Sequence, residues 1–299
     1  MEISIIIPTC DRADTLRMCL AALAAQVLGD GTEEVLVTDD GVTHQSRDMV
    51  AVEFPSFRWI EGPKKGPAAN RNRGASKATG ELLLFIDDDC VPTKQYLSAY
   101  RRASSDSAGH LVALEGATIR EAEPSSLLWE APHNPTGGTL ISCNFGIRKQ
   151  VFLEVGKFDE RYPVAAFEDT EFAERFRLSG GRVHFVPNAE VFHPLRPVRN
   201  PSKLAARWEG KAIFALDQGA TPFRILWGLP WHVLRVIQSR FWGQPWSVGN
   251  IRAAFLFAVE WLLVCWRTPR WVGNHARHPR HEFWIRYVAQ HGPAAKFGF

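Results

Sequence analysis

Residues 82–92 read LLLFIDDDCVP, five apolar residues followed at once by three aspartates. A short, wholly apolar run of this kind is typical of a buried strand in a parallel sheet. Asp87, Asp88 and Asp89, called the aspartate triplet below, then stand where the strand ends. At a separation of ~5 Å and an effective dielectric constant of ~20, two like charges repel by about 3 kcal/mol. Either the triplet frays into water, or a divalent cation offsets its charge.

Apolar runs and helical patterns alternate along the first hundred residues. Four runs are predicted to be strands, at residues 3–7, 34–38, 57–61 and 81–86. Helices are predicted after Asp14, which can cap the first of them, and at 67–79 and 93–103. Strands separated by helices form a mostly parallel sheet, and ligands of such sheets bind beyond the carboxyl ends of the strands. Asp39, which follows the second strand, is therefore expected at the same sheet edge as the aspartate triplet.

The next hundred residues are less regular. Further strands are predicted at residues 111–119, 140–148, 182–187 and 190–194. Residues 168–178 predict a helix, because Phe172 and Phe176 recur at helical spacing and acidic residues in the first turn suit the helix dipole.

The last hundred residues differ in composition from the rest. The chain has 299 residues, 45% of them hydrophobic, which is enough for a large core. From residue 196 onward there are 15 lysines and arginines against 4 acidic residues, whereas the preceding part has 20 against 28. Nine of the 11 tryptophans lie between Trp208 and Trp284. We therefore predict an α/β domain over residues 1–200 and a basic, tryptophan-rich helical region over 201–299.

Several classes of protein are disfavoured by the sequence. The five cysteines are scattered and form no C-x-x-C pair, which argues against a zinc cluster or a disulfide framework and favours a reducing, cytoplasmic compartment. The first residues lack the basic and long apolar regions of a signal peptide. The most apolar run, residues 251–266, is short for a membrane span and contains Arg252 and Glu260.

A set of motifs occurs in a fixed order along the chain. IIIPTCDR forms the first strand, VTDDG follows the second, GPAANRNRGASKATGE precedes the fourth and FIDDDCVP ends it. SCNFGIRKQVFLEVGKFDER and FEDTEFAERFRLSGGRVHFVPNAEVFH come next. Each motif alone is weak, but the ordered set, over residues 3–195, resembles the inverting, non-processive family 2 glycosyltransferases. The resemblance implies a GT-A-type, Rossmann-like fold, with a mixed, mostly parallel sheet flanked by helices and a helical, aromatic-rich C-terminal extension.

The same resemblance assigns roles to individual residues. Thr9 and Asp39 would line the base and ribose pocket, Asp88 would face the ribose, and Arg71 would reach the base or a phosphate. The whole set implied to bind the nucleotide-sugar donor is Pro8, Thr9, Asp11, Asp39, Arg71 and Asp88. A Mn²⁺ or Mg²⁺ ion would be held by Asp87, Asp89 and His193. Glu168 and Asp169 match the catalytic acidic pair, and we predict Asp169 as the base.

The chemistry of these residue types agrees with such roles. A metal ion held by carboxylates neutralises the charge that develops on a departing diphosphate. A carboxylate on the other side of the sugar can take the proton from an acceptor hydroxyl. One base facing one leaving group gives a single displacement with inversion, through a transition state of oxocarbenium character.

Each assignment has a structural alternative. Asp169 can simply stabilise the first turn of its helix, and His193 can be a buried structural histidine. Arg71 can lie on a solvated helix face. Asn144 and Phe145, which lie where the family shapes the acceptor site, can equally be strand core.

Two other functions stay open at the level of sequence. A sugar-phosphate nucleotidyltransferase has a related sheet, but it needs a glycine-rich loop after the first strand, and IIIPTCDR has no glycine. A non-catalytic module that binds sugar nucleotides is the other alternative. Arg207 and Trp208 match the end of the Q-x-x-R-W motif of processive synthases, but Leu204 stands at the glutamine position. This difference favours transfer of one sugar per event.

The basic, aromatic region admits three interpretations. Trp227, Trp231, Trp242 and Trp246 suit a membrane surface, where aromatic rings lie at the headgroup level and basic residues attract anionic lipids. The region can instead form a helical cap over the acceptor side. Nucleic-acid binding is the third interpretation, and the acidic first part disfavours it. The protein is thus expected in the cytoplasm, or peripherally at the inner face of the membrane. Its donor is expected to be a UDP-sugar, and its acceptor a saccharide, a lipid-linked saccharide or a small molecule.

Overall fold

The computed structural model describes residues 2–27, 32–106, 111–278 and 280–293. The chain divides into two units. Unit 1 comprises Met1–Ala122, Ala131–Pro163 and Glu168–Pro194, and unit 2 comprises Glu123–Glu130, Val164–Phe167 and Leu195–Phe299. The functional division into residues 1–200 and 201–299 stays a prediction.

The described residues form short strands and longer helices. The strands are β1 (Ile3–Thr9), β2 (Glu33–Asp39), β3 (Arg58–Glu61), β4 (Leu82–Ile86), β5 (Val91–Pro92), β6 (Val112–Arg120), β7 (Trp129–Glu130), β8 (Asn144–Arg148), β9 (Arg182–His193) and β10 (Arg196–Pro197). The helices are α1 (Ala13–Ala24), α2 (Gln45–Glu53), α3 (Pro67–Lys77), α4 (Tyr96–Asp106), α5 (Lys149–Glu154), α6 (Glu168–Leu178), α7 (Pro201–Asp217), α8 (Pro222–Phe241), α9 (Val248–His275) and α10 (Glu282–His291).

A mixed, mostly parallel sheet forms the centre of unit 1. Within the described residues it has eight strands in the order β3-β2-β1-β4-β8-β6-β9-β5. β1 is parallel to both β2 and β4, and β2 is parallel to β3. β8 is antiparallel to its neighbours β4 and β6. Because the adjacent strands β2, β1 and β4 run in one direction, their carboxyl ends meet at one edge, as the sequence predicts.

Helices cover both faces of this sheet. Successive residues of β1 alternate between the faces, as the two-residue period of a strand requires. Ile5 and Ile7 belong to one buried cluster, which contains the apolar side of α1. Ile6 belongs to the other, which contains Phe85, Phe145 and the apolar residues of α3, α5 and α6. The continuous apolar runs read from the sequence are therefore strands buried on both faces.

Unit 2 is mainly helical. Asn200, Thr221 and Ser247 each cap the helix that follows, by accepting hydrogen bonds from backbone N–H groups of its first turn. Apolar residues of α7, α8 and α9 form one buried cluster. Inside this unit Trp208 Nε1 donates to Glu260 Oε1 at 2.7 Å. Trp208 of the Arg207-Trp208 pair therefore contributes to the packing within unit 2.

One helix of unit 2 is longer than the sequence suggested. Among the described residues, only Val248–His275 is long and apolar enough to cross a membrane, judged by length and composition. About a quarter of its most apolar segment (28%) is buried inside the protein, and core helices of soluble proteins meet the same test. The apolar run at 251–266 is therefore part of a much longer helix.

Four local predictions differ from the structure. Asp14 does not cap α1: Arg12 precedes the helix without a side-chain cap, and Asp14 lies in its first turn. The two strands predicted at 182–187 and 190–194 are one strand, β9, whose pairing with β6 is interrupted by a register shift. Residues 140–143 are not a strand, and α2 and α5 were missed. The two helices are short, and their sequences show no clear helical periodicity. Packing of a few side chains, such as Met49 and Val50 of α2, stabilises them.

Candidate active site

Thr9, the last residue of β1, connects the ends of three strands. It lies in register with Asp39 at the end of β2. Its Oγ1 donates to Asp88 Oδ2 at 2.7 Å, just beyond β4. Asn70 of α3 donates to the carbonyl oxygens of Thr9 and Thr38, at 3.2 and 2.8 Å. Asp39 and Asp88 thus flank one threonine at the carboxyl edge of the sheet.

Two arginines offset the charge of the aspartate triplet. Arg12 pairs with Asp88 Oδ1 at 2.8 Å and also with Asp89 Oδ2. Arg71 Nη2 lies 2.6 Å from Asp87 Oδ1. Asp88 and Asp89 are buried, so the triplet does not fray into solvent. Within the described residues, the like-charge repulsion is relieved by cations of the chain itself, an answer that the sequence had not suggested.

Arg71 also joins the triplet to the second acidic group. Its Nη1 lies 3.0 Å from Glu168 Oε1, and both side chains are buried. Burial opposes the charge of Arg71, but Asp87 and Glu168 outweigh it, and the net effect raises the pKa of Arg71 above its ordinary value. Arg71 therefore does not lie on a solvated helix face. It is the internal cation between Asp87 and Glu168.

The two members of the acidic pair have different surroundings. Burial, together with the charge of Asp169, raises the pKa of Glu168 to about 7, although Arg71 opposes the shift. Within the described residues Glu168 Oε2 has no hydrogen-bond partner. Asp169 is partly exposed, and its oxygens accept from the backbone N–H groups of Ser142 and Thr170, at 3.3 and 2.7 Å. Of the two carboxylates, Asp169 is the one that a substrate can reach.

The buried state of Glu168 gives a pH dependence of stability. Its pKa is about 7 in the folded chain, whereas the ordinary value for a glutamate, which applies to the unfolded chain, is 4.5. As pH rises between these values the unfolded chain loses the proton first, so Glu168 lowers the free energy of unfolding. Across this pH interval the wild type should lose on the order of 3 kcal/mol of its free energy of unfolding because of Glu168, and Glu168→Gln should not show this loss. Urea unfolding of both proteins below and above the interval measures it.

The control for this experiment is Glu174→Gln, on the same helix but partly exposed. It should follow the pH dependence of the wild type. If Glu168→Gln and the wild type lose the same stability between pH 4.5 and 7, Glu168 is not held neutral in the fold.

His193, at the end of β9, lies beside Asp89. Its Nδ1 is 2.9 Å from the carbonyl oxygen of Pro194, which can only accept, so in the neutral ring Nδ1 holds the proton and Nε2 presents a lone pair. Nε2 lies 3.4 Å from Asp89 Oδ1. Neighbouring ligands of an octahedral ion bound at ~2.1 Å are about 3 Å apart. The two atoms are therefore spaced to share one cation.

The residues present fit Mn²⁺ or Mg²⁺ better than a softer metal. Asp89, Cys90 and His193 are buried, and one ligand atom of each lies within 4.8 Å of the others. A hydrogen bond with Cys143, then burial, raises the pKa of Cys90, so its thiol stays protonated. Hard cations prefer oxygen, and they keep positions for water and phosphate. Asp89 and His193 are the fitting ligands, while Asp87 is engaged by Arg71.

Comparisons with known proteins agree with this geometry. The sequence model of "Glycosyl transferase family 2" matches residues 4–108. Glycosyltransferase AglE of Haloferax volcanii is 27% identical over 210 residues, which are 65% of this chain and 67% of AglE. These matches identify residues 4–108 as a family 2 glycosyltransferase domain and support a glycosyltransferase. For three further curated relatives of this glycosyltransferase, the match covers 43% or less of their length.

Solved structures show that this glycosyltransferase has the GT-A-type fold. S. aureus TarS 1-349 in complex with UDP-GlcNAc is similar with a TM-score of 0.57 at 14% identity, over 99% of this chain and 93% of that one. Mannosyltransferase PcManGT from Pyrobaculum calidifontis in complex with GDP-Man and Mn²⁺ has a TM-score of 0.54 at 15% identity, over 97% and 86% of the chains. Identities this low establish the fold alone.

The remaining predicted donor residues of this glycosyltransferase hold the loops at the sheet edge. Pro8 is buried within β1. Asp11, with a φ of 52°, accepts hydrogen bonds from Val42 and Thr43. Asp39 accepts from the backbone of Gly41 at 2.8 Å. A Cβ at Gly41 would lie 2.6 Å from Asp11 Oδ1 and 2.7 Å from Asp39 Oδ1, so a side chain there would displace both carboxylates.

One residue of the site, Arg12, was not predicted from the sequence, and the roles of two others, Asn144 and Phe145, were left open. The place of Arg12 at the end of IIIPTCDR, beside the strand that precedes the aspartate triplet, could have indicated that it pairs with these aspartates. Asn144 belongs to the strand core of this glycosyltransferase: it donates to the carbonyl oxygens of Ala117 and Ala189, at 2.8 and 2.9 Å. Phe145 is also buried, stacked on Phe85.

Proposed function

We propose that the chain moves a sugar from a nucleoside-diphosphate donor to an acceptor hydroxyl, with inversion and with help from Mn²⁺ or Mg²⁺. The observation that carries the proposal is the network through Arg71. It joins Asp87 to the buried Glu168, so that the aspartate triplet lies close to the acidic pair, whose partly exposed member is Asp169. Transfer from a sugar nucleotide needs both groups.

The donor half of the proposal uses the ends of β1, β2 and β4. Asp39, Thr9 and Asp88 are the candidates for contacts to the base and ribose. Arg12 and Arg71 supply positive charge beside the carboxylates, and diphosphate oxygens are ligands that arginines recognise well. We favour a UDP-sugar, because S. aureus TarS has been solved in complex with UDP-GlcNAc. A GDP-sugar is the alternative donor, because PcManGT has been solved in complex with GDP-Man.

The metal would be held by Asp89 and His193, with Asp87 as a third candidate. When bound, it would supply positive charge to the departing diphosphate. His193 is fixed for such a role by the contact of its Nδ1 with the Pro194 carbonyl. Arg12 holds the other oxygen of Asp89, which leaves Oδ1 turned toward His193.

Asp169 is proposed to accept the proton of the acceptor hydroxyl. Its Oδ2 is held loosely by the Ser142 N–H at 3.3 Å, and the side chain is partly exposed. The buried neighbour Glu168, with a pKa raised to about 7 by burial and by Asp169, is the weaker candidate because Arg71 already occupies one of its oxygens. The acceptor class, whether saccharide, lipid-linked saccharide or small molecule, stays open.

A binding experiment tests the donor and metal parts together. We expect thermal or urea unfolding of the wild type to shift with UDP-sugars more than with GDP- or dTDP-sugars, and more with Mn²⁺ than without. A ligand at ~100 times its dissociation constant stabilises by about 2.7 kcal/mol. Asp89→Asn should lose most of the increment due to Mn²⁺, because it removes a metal ligand.

The matched control is Asp48→Asn, an exposed aspartate of α2, which should respond as the wild type does. Equal shifts with and without Mn²⁺ in the wild type contradict a metal-assisted reaction. Product formed with retained anomeric configuration, seen by NMR, contradicts the single displacement.

A further inference from the structure

Unit 2 exposes an aromatic stripe on α8. Trp227 is 71% exposed, and Phe223 and Trp231 are exposed at helical spacing on either side of it. Ile225, Leu229 and Val233 form the opposite, buried side of the same helix. A large aromatic residue at every fourth position of a solvated face has no function in the packing of the unit.

The stripe continues past the end of α8. Trp242 and Trp246, in the connection to α9, are 90% and 88% exposed. The outer side of α9 then exposes apolar side chains from Ile251 to Trp266, over about 22 Å at 1.5 Å per residue. We call the whole set the aromatic face: Phe223, Trp227, Trp231, Trp242, Trp246, Ile251, Phe255, Val259, Leu262 and Trp266.

Along the segment that carries the aromatic face, residues 222–275, the exposed charges are of one sign. Between residues 222 and 275 the sequence has six arginines and a single acidic residue. That residue, Glu260, is buried and accepts a hydrogen bond from Trp208. Arg224, Arg235 and Arg252 are exposed. A surface of tryptophans and arginines without exposed carboxylates is complementary to a layer of anionic headgroups above an apolar interior.

We propose that the aromatic face binds the surface of an anionic membrane, with α8 and α9 lying in the headgroup region. Tryptophan rings are stable at this depth, and each exposed arginine gains from the negative surface potential. The binding is peripheral, because unit 2 buries the other sides of both helices in its own core. It concerns unit 2 alone and does not depend on the proposed sugar transfer.

Co-sedimentation of the full chain with vesicles tests the proposal. We expect binding to vesicles that contain phosphatidylglycerol, weak binding to pure phosphatidylcholine, and release by high salt. Replacing Arg224, Arg235 and Arg252 by glutamine should weaken the binding about 100-fold, since each contributes roughly fivefold. The triple variant Trp227→Ser, Trp231→Ser and Phe255→Ser should weaken it on both kinds of vesicle.

The matched control replaces three exposed apolar residues of unit 1, Met18, Val52 and Leu153, by serine, and it should bind as the wild type does. Unchanged melting and donor-induced stabilisation show that each variant is folded and that its donor site is intact. The proposal is overturned if the wild type ignores anionic vesicles. It is also overturned if alkaline carbonate leaves the protein on the vesicles and only detergent releases it, which indicates a spanning helix. A dimer in light scattering that the triple variant Trp227→Ser, Trp231→Ser and Phe255→Ser abolishes overturns it as well.

Discussion

Asp169→Asn is expected to lower kcat for sugar transfer by about 10²–10⁴-fold, the usual contribution of a general base. Asparagine keeps the shape of the side chain but cannot take the proton of an acceptor hydroxyl. Because the hydrogen bonds of Asp169 go to Ser142 and Thr170, neither of which is a proposed donor residue, nucleotide binding should change little. Product formation and donor-induced stabilisation, measured on the same samples, separate the two effects.

Glu174→Gln, on the same helix, is the control and should keep its activity. A second readout does not need turnover. After burial, the charge of Asp169 is the next cause that raises the pKa of Glu168, so that pKa should fall in Asp169→Asn. If transfer and donor binding are lost together, Asp169 has a structural role in the first turn of α6. If transfer survives, another group is the base.

Arg71→Met is expected to lower the free energy of unfolding by about 3–5 kcal/mol, as observed when one partner of a buried ion pair is removed. The substitution keeps most of the apolar volume, but it leaves Asp87 and Glu168 without their shared cation. Protonation of Glu168 and partial hydration of Asp87 should each reduce the destabilisation caused by loss of the cation. Urea unfolding at neutral pH gives the value.

Arg73→Met is the matched control, because Arg73 lies on the exposed side of the same helix. It should change stability by no more than about 0.5 kcal/mol. Adding Glu168→Gln to Arg71→Met should restore part of the loss, since one of the two uncompensated acids is then neutral. Purely additive effects in this double-mutant cycle argue against coupling between Arg71 and Glu168.

The order of strands and helices around the site could be read from particular residues. LLLFI ends in aspartates, EVLVT ends in Asp39, and the parallel alternation brings both ends to one edge. The short helices α2 and α5 could not be read, because six to nine residues show too little periodicity and are stabilised by tertiary packing. The single strand β9 was divided in error, since its pairing with β6 shifts register midway.

The sequence by itself determined which chemistry gathers at the sheet edge, because strand polarity follows from the alternation of elements and the carboxylates come directly after the strands. Only the tertiary structure decided what balances their charge. Arg12 and Arg71 lie far from each other along the chain, and nothing local in the sequence specifies that they converge on Asp87, Asp88 and Asp89. The low dielectric of a buried site makes such pairing obligatory, whereas its partners are chosen by the fold.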